Sequence, residues 1–330
     1  MAKMDFRLEM QPRAFEAKLL HAHRLLLIGS CFTEQIGAKL DYHLFSTLQN
    51  PNGILFNPVS IAQAVTGYVH HRQYTEQDLF CQQDIWGSWD HHTRFSHTDP
   101  QLCLEAINTS QSNAHLFLKK ADWMLITLGS SFVYELPDKG VVANCHKVPT
   151  DKFSKRLLSS SEIIRLLQQM MDELTAFNPS IKIIFTISPV RHLRDGFVEN
   201  NQSKARLITA VHELVHQNSN AFYFPAYELI IDDLRDYRFY AEDMVHPNYL
   251  ATQYVWEKFI TACIDEKAVA LMKEIASIQI AKSHKPFNPL SMQHQQFIET
   301  YGQKCKQLAA AYPYIDLTDA LEFFEKGRQR

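Results

Sequence analysis

The run Leu25-Leu26-Leu27-Ile28-Gly29-Ser30-Cys31-Phe32-Thr33-Glu34 constrains the fold more than any other stretch. Four consecutive apolar residues stop at a glycine, two small nucleophilic side chains follow, and a helical start comes next. A short unbroken apolar run is the pattern of a strand buried on both faces, and such strands belong to parallel sheets. The turn after it then lies at the C-terminal edge of the sheet, where open α/β folds bind ligands. A nucleophile in that turn sits beside the unsatisfied N–H groups and positive dipole end of the next helix, which favour a thiolate or an oxyanion. The sequence holds only ten glycines, so a glycine at a strand end points to a backbone requirement.

The same strand pattern recurs at Trp123–Leu128 and Ile181–Ser188, and in weaker form at Ala221–Pro225. Between the second and third runs, Ser159 and Glu162 form a capping box. Ile163, Leu166, Leu167, Met170, Met171 and Leu174 then recur at helical spacing until Asn178-Pro179 stops the helix. Strand, helix, strand in that order is a βαβ crossover and implies an α/β sheet. Asn201–Gln217 reads as a further helix. Residues 50–115 fit this scheme less well. With Asn50-Pro51-Asn52-Gly53, Asn57-Pro58 and the aromatic, His-rich Trp86–His97, they read as an insertion of helices and long loops over the strand tips, a lid. The chain after Tyr249 reads as helical, broken near Lys285-Pro286-Phe287-Asn288-Pro289, and offers a dimerisation element. The expected division is a domain over 1–262 and a helical extension over 263–330, the latter suited to homo-oligomer contacts.

Composition narrows the function classes. The 330 residues are 46% hydrophobic and 21% charged, with net charge -3, so no basic excess suggests a nucleic-acid or membrane partner. The N-terminus Met1-Ala2-Lys3-Met4-Asp5-Phe6-Arg7 has no apolar core of a secretory signal. No run reaches the roughly 18 apolar residues of a membrane span. The six cysteines are scattered without a C-x-x-C pair, which is the usage of a cytoplasmic protein with reduced thiols. Cys81, Cys103, Cys263 and Cys305 read as inert packing residues.

A second chemical signal is Asp243-Met244-Val245-His246-Pro247. An Asp three residues before a His supplies two members of a catalytic triad from one loop: the base reaches the nucleophile while the carboxylate fixes the imidazole tautomer. D-x-x-H is a weak motif alone and gains force beside a nucleophile turn after the first strand. The pairing resembles the SGNH (GDSL-type) hydrolases, with a Gly-Asp-Ser turn after the first strand and a D-x-x-H near the end. Between them, a glycine and a Gly-x-Asn supply the oxyanion hole. More narrowly, Gly29-Ser30-Cys31-Phe32 is similar to the motif naming the GSCFA-domain proteins. Asn50–Pro58, Thr127-Leu128-Gly129, Asn144–Pro149, Ser188–His192 and Asp236–Tyr240 extend the likeness over roughly residues 20–260.

The resemblance implies a three-layer α/β/α, flavodoxin-like fold of SGNH type, with lid insertion and helical C-terminal extension. It also implies an acyl-ester hydrolase or acyltransferase whose mechanism needs no cofactor, and the aromatic and Arg content of the pocket-facing segments suits a small-molecule or glycan acyl ester. On the motif, Ser30 stands at the Asp position and Cys31 at the nucleophile position. Cys31 is therefore the expected nucleophile and Ser30 the alternative, with His246 as base then acid and Asp243 orienting it. The N–H groups of Cys31 and Gly53, with Gly129 and Ser131, would form the oxyanion hole. Ser131 replaces the superfamily's Asn, and a hydroxyl differs from an amide in reach.

Other polar groups surround these motifs. Asn52 belongs to the matching stretch and is a candidate substrate contact. Asn144-Cys145-His146-Lys147 reads as a substrate-contacting loop through Asn144 and His146, with a metal site as the rival. Arg191-His192 follows the third apolar run at the ligand-binding edge. Arg191 suits a substrate carboxylate or phosphate; the other reading is a salt bridge to Asp232, Asp233 or Asp236, in a charge run that would brace the D-x-x-H loop. Trp89, His92 and Phe95 would close the pocket. His91 and His92, adjacent on an extended segment, point opposite ways and do not ligate one metal easily. His70-His71-Arg72 reads as a solvated helix end. Two other function classes stay open: a non-catalytic binding module on the same fold, and a metal-dependent hydrolase using the His-rich loop with Asp243 and His246.

Overall fold

The apolar runs line up in one parallel sheet. The computed structural model describes residues 8–328, and the expectation for Met1–Arg7 lies outside the described residues. Strands β1 (Arg24–Gly29), β2 (Ser46–Gln49), β3 (Trp123–Leu128), β4 (Lys182–Ile187) and β5 (Ala221–Tyr223) stand in the order β5-β4-β3-β1-β2, all neighbours parallel. Gly29 pairs with Thr127, and Leu128 with Ile187. The exits of β1, β3 and β4 are therefore level, and the turns after them meet at one edge.

Side chains alternate between two helical layers, as the period of a strand requires. Leu26, Ile28, Met124, Ile126, Leu128, Ile183, Phe185 and Ile187 share a core with α2 (Pro58–Val69), α4 (Ser160–Phe177), α5 (Phe197–Gln217) and the end of α3 (Pro100–Leu118). Leu25, Leu27, Trp123, Leu125 and Ile184 face α1 (Cys31–Tyr42) and α6 (Tyr249–Cys263). The result is the three-layer α/β/α architecture. The capping box forms at α4: Ser159 Oγ accepts from Glu162 N at 3.2 Å, and Glu162 Oε2 from Ser159 N at 2.8 Å.

The segment between β2 and β3 splits into two roles. Helix α2 and the end of α3 join the layer beside α4. The antiparallel pair Leu79–Gln82 and Ile85–Ser88 and the loop over 89–97 lie across the strand exits. His92 N donates to Asn52 O just after β2, and Ala143 N donates to Trp89 O after β3. A three-stranded antiparallel sheet (Phe132–Leu136 between Gly140–Val142 and Ser154–Leu157) fills the connection from β3 to α4. At the C-terminus, α7 (Glu266–Ser283), α8 (Met292–Ala311) and α9 (Thr318–Arg328) close a separate small core around Ile275, Ile298, Cys305 and Phe324. No described helix is long and apolar enough to cross a membrane.

Candidate active site at the sheet edge

The site begins with a close approach of two backbones. Gly29 has φ +142°, and a Cβ there would stand 2.2 Å from Thr127 O, so only glycine lets β1 end against β3. Its N–H donates to Asn50 Oδ1 at 2.9 Å, and Ser30 N donates to Thr127 O at 3.1 Å. Ser30 then caps α1 with extended backbone but makes no side-chain cap bond. It is 1% exposed, and its Oγ is buried without a partner among the described residues. Cys31, the first residue of α1, is half-buried. Burial and then Glu34, one turn along, push its thiol pKa up; the N–H groups of Phe32 and Cys31 and the Lys204 side chain pull the other way. Of the two candidate nucleophiles, Cys31 is the reachable one.

Lys204 belongs to none of the motifs read from the sequence. It lies on α5, 1% exposed, and its Nζ donates to Gly129 O at 2.6 Å and Ser188 O at 2.7 Å, the first residues beyond β3 and β4. Burial brings its pKa down to about 7, and interaction with Cys31 opposes that fall. A signal was present in the sequence: Lys204, Leu207, Val211 and Leu214 share one helical face.

His192 follows β4. Its N–H donates to Asn200 Oδ1 at 2.9 Å, and its ring meets Phe56 edge-on at 5.4 Å. Its Nε2 is buried without a partner among the described residues. Burial first, then Lys204, takes its pKa down to about 4, so the ring is neutral near pH 7. His192 lines a cleft of about 360 Å³ with Phe56, Phe132, Tyr134, Asn144, Cys145 and Arg194. Asn144 Oδ1 accepts from His146 N at 2.8 Å at its rim.

The D-x-x-H motif forms a self-contained turn. His246 Nδ1 donates to Asp243 Oδ2 at 2.5 Å, while Asp243 Oδ1 accepts from Val245 N and His246 N, both at 3.0 Å. The backbone donors, foremost His246 N, and then the imidazole hold the Asp243 carboxyl down at about 2. A proton on Nδ1 leaves Nε2 as the basic nitrogen. His246 is half-exposed on the loop before α6 and lies within electrostatic reach of His192.

Several expected contacts are used elsewhere. Gly53 N donates to Asn50 O at 2.7 Å and Gly129 N to Phe56 O at 2.8 Å. Ser131 is fully buried; its N–H donates to Ser203 Oγ at 2.8 Å and its hydroxyl to Ser203 O at 3.0 Å. These three residues spend their donors in the turns and on α5, so they are not the expected oxyanion hole. Asn52 is buried, accepting from Tyr68 OH at 2.7 Å and donating to Asp90 O at 3.0 Å, a brace rather than a ligand contact. His146 turns from the cleft: its Nε2 bonds Ser88 O at 2.9 Å, and its ring packs on Phe80 and Trp89.

Trp89 stacks on Phe80 at 3.8 Å, and Phe95 packs edge-on against the buried His91. They build the cover instead of closing over a ligand. His92 is half-buried with its Cβ against Gly53; burial first and then Arg94 lower its ring pKa, and Glu34 opposes them. Arg191 donates to the Tyr240 hydroxyl at 3.3 Å, and among the described residues no carboxylate lies within ion-pair distance of it. Among the described residues no three His, Cys, Asp or Glu side chains are placed to hold a metal ion.

Three solved structures are similar to this chain at low identity. The first is a Streptococcus pneumonia protein described as a "putative platelet activating factor" (14% identity, 72% of this chain and 82% of that one, TM-score 0.37). The second is a carbohydrate esterase family 3 protein from Talaromyces cellulolyticus (12%, 76% and 99%, 0.35). The third is an acetyl esterase variant with an acetate ion (12%, 77% and 99%, 0.36). No curated protein matches the chain. The GSCFA domain protein C-terminal domain matches residues 275–329. The GSCFA family pattern matches residues 24–259, from the first residue of β1 to near the end of α6, and the chain belongs to the GSCFA family.

Proposed function

We propose that this chain cleaves acyl esters through a covalent intermediate on Cys31, with His246 as acid–base group and Asp243 as its orienting carboxylate. The observation that carries this reading is the Asp243–His246 turn, whose 2.5 Å bond to Nδ1 and two backbone contacts pre-set the tautomer a general base needs. Cys31 supports it as the reachable nucleophile at the N-terminus of α1.

In the acylation step Sγ bonds to the acyl carbon while its proton passes to His246 Nε2. The tetrahedral oxyanion collapses, the ester C–O bond breaks, and the leaving alkoxide takes the proton back. Water, or an acceptor hydroxyl in a transferase, then releases the acyl group from sulfur. With Gly53, Gly129 and Ser131 committed elsewhere, the N–H groups of Cys31 and Phe32 are the oxyanion donors at hand. The cleft beside His192 offers Phe56, Phe132 and Tyr134 as walls and Asn144 and Arg194 as polar contacts, which suits a small-molecule or glycan ester.

Turnover of p-nitrophenyl acetate and of a simple thioester tests the reading. The wild type should turn over, Cys31→Ala should abolish activity, Ser30→Ala should retain most of it, and His246→Ala should lose at least ~100-fold. A Ser30→Ala variant that is dead beside an active Cys31→Ala variant would contradict the assignment.

A further inference from the structure

The loop that carries Asp243 and His246 is built from its own bonds. Ala241 N donates to His246 O at 2.8 Å, Met244 N to Ala241 O at 2.9 Å and Asn248 N to Phe239 O at 2.9 Å, while Tyr240 and Pro247 pair as an antiparallel bridge. The Asp243 carboxylate also bonds within the turn, to Val245 N, His246 N and His246 Nδ1. Such bonds fix the shape of the loop, and not where it stands against the sheet. That placement matters, because a misplacement of about 1 Å can cost a reacting group about 100-fold.

One side chain ties the loop to the sheet edge. Arg191 Nη1 donates to the Tyr240 hydroxyl at 3.3 Å, with the guanidinium 5.6 Å from the centre of the Tyr240 ring. Among the described residues this is the only hydrogen bond from residues 236–247 to the segments that follow the strands. The Tyr240 ring is buried in the core shared by the sheet, α1 and α6. Apolar packing is non-directional, and the bond from Arg191 adds direction. Arg191 itself is held on both sides. Val190 is buried with its N–H on Ser188 Oγ at 3.3 Å, and His192 N donates to Asn200 Oδ1 at 2.9 Å. Ser188 N donates to Leu128 O at 2.8 Å, so the segment starts directly from the β3–β4 pairing. The nearby carboxylates are used elsewhere: Asp236 pairs with Arg238, and Asp233 accepts from Met10 N and Tyr254 OH. The guanidinium is left to the tyrosine, and a charged donor makes the stronger bond.

We propose that Arg191 is a positioning residue for the acid–base loop, holding His246 in place against the sheet edge through the Tyr240 hydroxyl. The proposal rests on the reading of His246 as the acid–base group.

Two variants break the tie: Arg191→Met, and Tyr240→Phe, which removes only the hydroxyl. With p-nitrophenyl acetate each should lower kcat about tenfold and leave KM within about twofold. In a His246→Ala background there is no imidazole to position, so neither change should lower the residual rate further. Full kcat in Tyr240→Phe overturns the proposal. So does an Arg191→Met loss as large without His246 as with it, which marks a direct substrate contact or general damage. Amide hydrogen exchange supplies a readout without turnover. The peptide over 236–247 should exchange about tenfold faster in both variants while peptides of β3 and β4 stay unchanged. Unchanged exchange of that peptide overturns the proposal, and Tyr240→Phe decides if Arg191→Met does not fold. A wild type that turns over no ester sinks the functional reading, whereas an active wild type beside a fully active Tyr240→Phe sinks this inference alone.

Discussion

Two ionisable sites of the molecule, one in an exposed turn and one in the interior, are built in opposite ways. Asp243 and His246 sit in one turn, half-exposed, joined by a 2.5 Å bond and two backbone contacts. Lys204 on α5 lies in the interior, 1% exposed and bonded only to the carbonyls of Gly129 and Ser188. In the exposed pair, water screens the charges, and what the hydrogen bonds supply is orientation. At buried Lys204, the low-dielectric surroundings make the charge itself count. Mutations in the first should therefore change turnover and spare stability, whereas mutations in the second should change stability.

The largest effect should come from removing the exposed base. His246→Ala should reduce kcat by about 10²–10⁴-fold while the melting temperature stays within about 2 °C of wild type, since surface changes cost little. A melting point lowered as much as by a core mutation would break the contrast. Next, Gly29→Ala should destabilise the protein by at least about 3 kcal/mol in urea titration, because the new Cβ meets Thr127 O at 2.2 Å in a backbone of φ +142°. An unaffected midpoint would mean that β1 does not need this approach.

Titration sharpens the comparison from the buried side. Burial pulls the folded-state pKa of Lys204 down to about 7 from the ordinary lysine value of 10.5. Between those values the unfolded chain still binds a proton that the folded chain has released, so this group makes stability rise with pH. The thiol of Cys31, shifted upward from 9.0, acts in the opposite sense above that pH. Urea stability should therefore climb from pH 7 towards 9 in the wild type and lose that slope in Lys204→Met; equal slopes would contradict the buried-charge account. Asp243 works at the acid end, its contribution lost as pH falls from 3.8 to about 2. The smallest effect is expected at Ser131→Ala, about 1 kcal/mol of stability with turnover unchanged. A large loss of turnover there would restore the oxyanion role that its bonds to Ser203 argue against.

The sheet was legible because its strands are buried on both faces. Leu25–Ile28, Trp123–Leu128 and Ile181–Ser188 predict β1, β3 and β4 to within a residue or so, and the Ser159–Glu162 capping box marks the start of α4. β2 was not legible: Ser46-Thr47-Leu48-Gln49 is a short edge strand with polar side chains, a pattern shared with loops. At the site, motif spacing identified residue types but not where their hydrogen bonds go. Gly53 fits the oxyanion position in sequence, yet its N–H closes a turn onto Asn50 O. His146 and His192 look alike as loop histidines, and only tertiary packing turns one onto Ser88 and the other into the cleft. Lys204 lay outside every motif and was visible only as a charge on the apolar face of a helix.

The central claim is that the acyl group passes through Cys31, and trapping it tests that claim directly. Mixing the protein with p-nitrophenyl acetate, quenching in acid within the first turnover, and sequencing the Ser30–Cys31 peptide by tandem mass spectrometry locates the acetyl group. The account predicts acetyl on the Cys31 sulfur, removable by hydroxylamine, formed more slowly in His246→Ala and absent in Cys31→Ala. Acetyl on the Ser30 oxygen, or turnover with no acetylated peptide at any time, would contradict it.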